Sequence, residues 1–113
     1  MRFHKSQRVV SSKEFTLILR KGSCAADGVL VLFAVESDRQ TPRLGITIPK
    51  KTGNAVVRNH WKRLIRESYR TQQEQIPAGY DYVVRPKKGA EATWQAIRKS
   101  VPRLANKAVK RIT

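Results

Sequence analysis

The sequence has little negative charge. Its 113 residues include eight Asp and Glu against 24 Lys and Arg, which gives a net charge of +16. Charge of one sign on this scale repels itself in a compact monomer, and a polyanionic partner is the usual reason for it. Nucleic acid is the first candidate for that partner, and an anionic membrane surface is the second. The few carboxylates are scattered and include no close pair suited to metal-assisted nuclease chemistry.

The sequence also has little of what marks secreted or membrane-spanning proteins. Its one cysteine, Cys24, cannot form an internal disulfide. No apolar run reaches the roughly 18 residues of a transmembrane helix. The first ten residues, MRFHKSQRVV, lack the apolar core of a signal peptide. We therefore expect a cytoplasmic protein with no membrane partner.

Patterns for phosphate loops and metal sites are missing too. No GxxxxGKS/T loop occurs, and the two histidines, His4 and His60, stand apart from any Cys/His metal spacing. We predict no catalytic residue and no metal site in this chain. If the protein serves an enzyme, another component would supply the chemistry.

The first half of the chain predicts a helix and then strands. A capping-box pattern at 11–14 predicts the start of a short helix that has Phe15 on its apolar face and ends at Gly22. The apolar run from Gly28 to Glu36 predicts a strand buried on both faces. Alternation from Arg43 to Ile48 predicts a second strand, and we expect the two strands to pair as a hairpin.

The second half predicts two helices separated by a strand. Helical spacing of apolar residues predicts a central helix from about residue 55 to 74. A strand is predicted at 80–85 and a last helix over about 90–110. Pro102 should kink this last helix or begin a new segment with Ser100 as its cap.

These elements predict an α+β fold class in a single domain that spans 1–113. We expect an α/β two-layer sandwich that has one strand more than these patterns locate: a mixed four-stranded sheet with helices, in the order α-β-β-β-α-β-α. The strand–helix–strand passage from 43 to 85 should join parallel neighbours. Hydrophobic residues make up 40% of the chain, which is enough for one core.

The stretch KKTGNAVVRNHWKRLIRESYR at 50–70 predicts an amphipathic helix with unbalanced charge, since it holds seven Lys and Arg and one carboxylate. The stripe suited to the core is Val57, Trp61, Leu64, Ile65, Ser68 and Tyr69. The candidate RNA-binding residues are Lys50, Lys51, Arg58, Asn59, Lys62, Arg63, Arg66 and Arg70. Glu67 can pair with Arg63 or Arg70. Because solvated faces usually mix charges of both signs, this face predicts phosphate binding, to which the planar fork of Arg is suited.

Composition leaves DNA and RNA open as partners. A helix beside a sheet could enter a DNA major groove, and aromatic side chains such as Phe15 and Phe33 could stack single-stranded bases if exposed. A ribosomal or other structural RNA-binding protein would share this size and charge. A DNA-binding regulator is a weaker alternative because the sequence shows no dimer seam.

Several residue groups in the basic stretch follow one another in a recognisable order. They are Lys50-Lys51, Gly53, Ala55-Val56, Arg58-Asn59, Lys62-Arg63 and Arg66-Glu67. Together they resemble the signature of the bacterial ribonuclease P protein subunit. Looser similarity extends over most of the chain, at Arg8, Phe15, Arg43-Leu44-Gly45 and Asp81-Tyr82-Val83-Val84.

The resemblance implies a ribonucleoprotein endoribonuclease that removes the 5′ leader from precursor tRNA. A catalytic RNA would carry out the hydrolysis with Mg²⁺ bound mainly by that RNA. The protein would bind the catalytic RNA as a monomer in a 1:1 complex through the candidate RNA-binding residues, with no DNA partner. It would hold the single-stranded leader in a cleft between the first helix and the sheet, lined by Arg8, Phe15, Leu19 and Phe33. A left-handed β-α-β crossover is also implied, against the general right-handed rule.

Three positions depart from the family pattern. His60 stands where the family often has Arg, Leu19 where a second aromatic residue is common, and Pro102 lies inside the final helix. We expect His60 to weaken one phosphate contact at neutral pH, since histidine is mostly uncharged there.

Overall fold

The computed structural model describes residues 18–37 and 43–112, so the predicted capping box lies outside the described residues. Residues 18–21 are helical, and the helix ends at Gly22 as predicted. The Gly22 N–H donates to the carbonyl oxygen of Ile18 at 2.8 Å. A Cβ atom at Gly22 would clash with that carbonyl oxygen, so the tight turn requires glycine.

Four strands form one mixed sheet: β1 (Ser23–Ala26), β2 (Leu30–Glu36), β3 (Arg43–Ile46) and β4 (Tyr80–Pro86). Their order is β1-β2-β4-β3, with β3 parallel to β4 and the other pairs antiparallel. The predicted mixed four-stranded sheet and its parallel strand pair are therefore confirmed. The left-handed crossover between β3 and β4 stays a prediction of the family resemblance.

The predicted hairpin between β2 and β3 is wrong, because β4 lies between them. Strand β4 is apolar on both faces: Tyr82 and Val84 lie on one side, Val83 on the other, and all three are buried. A strand buried on both faces is stable in the middle of a sheet. The short β3 consequently lies at the sheet edge. Its partner β4 follows it in the chain only after an intervening helix.

Two long helices complete the core: α1 (Ala55–Thr71) and α2 (Trp94–Ile112). Their buried side chains and those of one sheet face form a single cluster, which includes Trp61, Ile65, Tyr69, Ile97, Val101 and Leu104. The predicted order α-β-β-β-α-β-α is confirmed. Helix α1 ends earlier than predicted and is followed by a 3₁₀ turn at Gln73–Gln75. Neither helix is long and apolar enough to cross a membrane, and the same holds for all of the described chain.

Pro102 lies inside α2 without beginning a new segment, so that alternative is wrong, and a kink at Pro102 stays a prediction. A proline has no N–H to donate to the carbonyl four residues earlier, which here is that of Arg98. The side-chain amide of Gln72, at the end of α1, donates to the Arg98 carbonyl at 2.9 Å instead. Ser100 does not cap a segment, because its hydroxyl donates to Asp27 at 2.5 Å.

The opposite sheet face carries a smaller apolar cluster. Ile18, Val31, Phe33 and Val83 are buried there. Because alternate residues of β2 are buried on this face and on the helix-covered face, the prediction that β2 is buried on both faces is confirmed.

A buried ion pair joins β3 to β4 on this smaller-cluster side. An Nη of Arg43 lies 2.7 Å from Oδ2 of Asp81 and its Nε lies 3.3 Å from Oδ1, while the two side chains are 10% and 7% exposed. The two residues are direct partners in the parallel register. Since breaking a buried pair is strongly destabilising, this contact favours one register of β3 against β4.

Asp27, in the turn between β1 and β2, connects that turn to α2. Its Oδ1 accepts hydrogen bonds from the backbone N–H groups of Val29 at 2.8 Å and Leu30 at 2.9 Å. Its Oδ2 accepts from Ser100 and Arg103, both at 2.5 Å. Burial alone would raise the pKa of this carboxyl, but the four hydrogen bonds outweigh it and lower the pKa to about 2.

Asp27→Asn should therefore lower the free energy of unfolding at pH 7 by about 2 kcal/mol, since the bonds to the charged carboxylate are weakened. A lowered folded-state pKa gives stability that is present above the unfolded-state pKa and lost as pH falls. The difference in the free energy of unfolding between wild type and variant should thus shrink between about pH 4 and pH 2. Urea unfolding at pH 7, 4, 3 and 2 measures this difference. A gap of constant size over that range would contradict the assignment.

Candidate nucleic-acid interface

A short loop and an asparagine cap begin α1. Residues Lys50–Thr52 form a 3₁₀ turn in which Lys50 and Lys51 are exposed. Asn54 is the N-cap of α1, and its side-chain oxygen accepts from the N–H of Val57 at 3.0 Å. A Cβ atom at Gly53 would lie 2.8 Å from the Val57 side chain, so the close approach of loop and helix requires glycine. The loop therefore presents its two lysines beside the helix N-terminus.

Most of the predicted apolar stripe of α1 is buried. Trp61, Ile65, Ser68 and Tyr69 are buried, and Leu64 packs against the core. The stripe also fixes how α1 can rotate about its axis, because large side chains are held in one packing arrangement.

Val57, predicted in the same stripe, is 40% exposed, and Val56 is 78% exposed. The first turn of α1 therefore projects past the core. The prediction that Val57 is a core residue is wrong, because the periodicity gives its side of the helix but not where the sheet ends.

The exposed side of α1 carries a group that we call the α1 cationic face: Asn59, Lys62, Arg63 and Arg66. Lys62 is half-buried and the others are exposed. Lys62, Arg63 and Arg66 form no ion pair with any residue that the structure describes. Three cations that form no ion pair with any described residue, on a helix packed against the core, form a surface suited to phosphate groups.

Arg58 lies at the edge of the core. The charge pattern of the sequence had suggested the opposite side of α1. Arg58 precedes the buried Trp61 by three residues and Ile65 by seven, which places it on the same side of the helix. Arg58 is half-buried, and its buried Nε has no hydrogen-bond partner among the described residues. The cations among the predicted RNA-binding residues of α1 therefore start beside the core at Arg58 and continue on the exposed side of the helix.

Arg70 differs from the other predicted RNA-binding residues because it is paired with a carboxylate. Its guanidinium donates to both carboxylate oxygens of Glu67, with Nε 3.3 Å from Oε2. This hydrogen bond lowers the pKa of the Glu67 carboxyl. The predicted pairing of Glu67 with Arg70 is confirmed, and it leaves Arg70 with less unbalanced charge than Arg63 or Arg66.

Of the predicted leader-cleft residues, Leu19 and Phe33 lie in the described chain, whereas Arg8 and Phe15 lie outside it. Leu19 is 38% exposed, but Phe33 is only 9% exposed. The expectation that the Phe33 ring lies open in a groove is therefore wrong, because its neighbours on the sheet enclose it. Whether Leu19 and Phe33 contact a leader stays a prediction.

Sequence reasoning missed Arg85, whose guanidinium carbon lies 5.4 Å from the centre of the Phe33 ring. Arg85 is exposed, and it is the register partner of Val31, which shares a sheet face with Phe33. A cation over an aromatic ring at this distance is an attractive contact. Alternation along β4 could have placed Arg85 beside Val83, but not the pairing of β4 with β2 that brings it to Phe33.

The described residues contain no group of three or more His, Cys, Asp or Glu that could hold a metal ion. His60 is exposed on α1, beside the α1 cationic face. What the site offers is positive charge and hydrogen-bond donors on a fixed helix. These suit binding of phosphates.

Comparison with known proteins gives one consistent result. The family model described as "Ribonuclease P" matches residues 3–109. The ribonuclease P protein component of Brevibacillus brevis is 39% identical over 107 residues, which cover 93% of this chain and 85% of the relative. That of Bacillus cereus strain Q1 is 35% identical over 99 residues, with 86% of each chain covered.

Solved structures agree with these sequence matches. The ribonuclease P protein from Thermotoga maritima superposes with a TM-score of 0.82 at 28% identity, covering 88% of this chain and 96% of that one. The ribonuclease P protein of Staphylococcus aureus gives 0.79 at 30% identity, with 96% and 97% covered. The similarity therefore extends over nearly the whole fold.

The cap at Asn54 should contribute measurably to α1. Asn54→Ala removes the acceptor for the Val57 N–H and should lower the free energy of unfolding by about 1 kcal/mol. Asn54→Ser is the matched control, because serine can also cap and should cost less. Chemical denaturation of the three proteins measures both, and equal losses for Ala and Ser would show that the cap contributes nothing.

Proposed function

We infer that this chain, which belongs to the ribonuclease P protein family, is the protein component of ribonuclease P and takes part in removing the 5′ leader from precursor tRNA. The observation that carries the proposal is the α1 cationic face, in the stretch where the family signature lies. Its cations form no ion pair with any described residue, and they lie on a helix that its buried stripe packs against the core. A ribosomal protein would share the charge, but the match of the family model over residues 3–109 favours a ribonuclease P protein.

In this proposal α1 and its preceding loop bind the catalytic RNA, as a 1:1 complex with one protein monomer. Lys62, Arg63 and Arg66 contact phosphate oxygens, with Lys50 and Lys51 adding contacts beside the helix N-terminus. Binding needs no rearrangement of α1, because its opposite side is already packed. The ordering cost of association is correspondingly small.

The proposal assigns the leader of precursor tRNA to the other sheet face. Leu19 is exposed next to Ile18, which belongs to the smaller cluster on that face, and Arg85 lies over Phe33, so a single strand would meet a guanidinium above an aromatic ring. Arg8 and Phe15 complete the family's cleft by resemblance. With α1 and α2 packed on one side of the sheet and this cleft on the other, one protein molecule could hold two RNA segments at once.

In this proposal the RNA partner carries out the chemistry. Mg²⁺ bound by the RNA would activate water and stabilise the charge that develops on the scissile phosphate. The residues of this chain would bind and orient the two RNAs and neutralise phosphates near their contact. No step of the hydrolysis is assigned to a side chain of the protein.

Adding the protein to ribonuclease P RNA should raise leader cleavage of precursor tRNA at low Mg²⁺, because protein cations reduce repulsion between the two RNAs. With about six phosphate contacts, the log–log dependence of RNA affinity on salt should have a slope of about −4 to −5. Cleavage assays and filter binding measure these two quantities. An unchanged cleavage rate, or a slope near −1, would contradict the proposal.

Arg63→Ala should weaken binding of ribonuclease P RNA by about 1–2 kcal/mol, since it removes a charge-assisted contact. Its stability should hardly change, because Arg63 is exposed and has no ion-pair partner among the described residues. Lys88→Ala, in an exposed turn far along the chain from α1, is the control with the same change in charge. If Arg63→Ala unfolds the protein, or binds RNA like the control, its proposed role is wrong.

A further inference from the structure

Helix α2 carries more unbalanced charge than α1. Its cations are Arg98, Lys99, Arg103, Lys107, Lys110 and Arg111, and it has no carboxylate. Helix α1 has five cations and one carboxylate. None of the α2 cations belongs to the candidate RNA-binding residues or to the predicted leader cleft.

Five of the six α2 cations, all except Lys110, divide into two groups by what they contact. Arg103 donates to Asp27, and Arg111 donates to the backbone carbonyl of Cys24, so both attach α2 to the β1–β2 region. Arg98, Lys99 and Lys107 are exposed and form no ion pair with any residue in the described chain. We call these three the α2 cationic face.

The fold holds this face pointing away from the core. Lys99 and Lys107 are eight residues apart, so with Arg103 between them they share one row of the helix. The opposite row is buried against the sheet, through Val101, Leu104, Ala105 and Ala108 among others. Like charges at this spacing destabilise a helix. Asp27 offsets the charge of Arg103, whereas Lys99 and Lys107 form no ion pair with any described residue.

A shallow groove of about 400 Å³ adjoins the α2 cationic face on the side of α1. Gln72 and Gln75 line it from the end of the α1 region, and Arg98, Lys99 and Asn106 line it from α2. Both helices pack on the same face of the sheet. The exposed sides of α1 and α2 therefore belong to one layer of the molecule.

We propose that the α2 cationic face is a second docking surface for the phosphate backbone of folded RNA, separate from the α1 cationic face. The proposal rests on the proposed function, since the RNA is that of the same ribonucleoprotein. It implies that α1 and α2 hold two different backbone segments of one RNA. The groove between them would admit a phosphate row flanked by guanidinium and ammonium groups.

The chemistry of the surface favours RNA over other anionic partners. Protein interfaces have an apolar centre, whereas Lys99, Arg103, Asn106 and Lys107 are all polar or charged. A membrane-binding amphipathic helix inserts its apolar side, and that side of α2 is buried in the core. Phosphate rows need neither feature, only cations and donors at a fixed spacing.

Three triple variants, each of which removes three positive charges, test the proposal. The α2 variant is R98Q/K99Q/K107Q, the α1 variant is K62Q/R63Q/R66Q, and the control, K21Q/K87Q/K88Q, removes three exposed lysines outside both helices. Affinity for ribonuclease P RNA is measured from low to high salt, and urea unfolding confirms that each variant is folded.

Loss of three phosphate contacts should reduce the steepness of the salt dependence by about 2 and weaken binding at low salt at least about tenfold. We expect this for the α2 and α1 variants and not for the control. If the α1 variant loses affinity and the α2 variant matches the control, the second surface is wrong and the proposed function stands. If neither helix variant differs from the control, the proposed function fails as well.

A second measurement does not depend on affinity. In a Cys24→Ala background, an iron–EDTA reagent attached through Lys107→Cys should cut the RNA backbone at positions distinct from those cut through Arg63→Cys. Attachment through Lys88→Cys gives the background pattern. Cleavage from position 107 that does not exceed this background would overturn the proposal.

Discussion

The fold places two of its scarce carboxylates, Asp27 and Asp81, inside the molecule. Asp81 pairs with Arg43 between β3 and β4, and Asp27 joins the β1–β2 turn to Ser100 and Arg103 of α2. Both are largely removed from solvent, so they stabilise the sheet and its attachment to α2 without neutralising the surface. The outer sides of α1 and α2 are left with cations that have few acidic neighbours. Stability and surface charge thus follow from the same placement of a small number of acidic side chains.

Amide side chains determine how the two helices meet. Gln72 donates to the Arg98 carbonyl that Pro102 leaves without a backbone partner, and Asn106 donates to the carbonyls of Gln75 and Pro102 at 2.8 and 2.7 Å. These contacts fix the end of α1 against the middle of α2, which positions the cations on both helices relative to one another. A proline that appears disruptive in the sequence is accommodated at the point where the helices are joined.

Much of this arrangement could be predicted from the sequence, because it depends on local patterns. Periodicity located α1, α2, β2 and β4, and the family signature marked the cations of α1. What could not be predicted depends on long-range pairing. Because β2 and β3 are consecutive in the chain, the sequence suggested that they pair, but β4 lies between them. Strand β1 has only small side chains and shows no strand pattern. The enclosure of Phe33, its contact with Arg85 and the position of Arg58 at the core edge all require knowledge of which elements become neighbours.

The position of β4 has a consequence for synthesis on the ribosome. Since β4 separates β2 from β3, neither strand can complete its hydrogen bonds until residues 80–86 have left the exit tunnel. The emerging chain therefore exposes two open strand edges while it already displays the basic segment of α1. Open edges promote aggregation of nascent chains, and mutual repulsion among such strongly positive polypeptides opposes it. The excess charge would then protect the polypeptide during its own production, before any nucleotide is encountered.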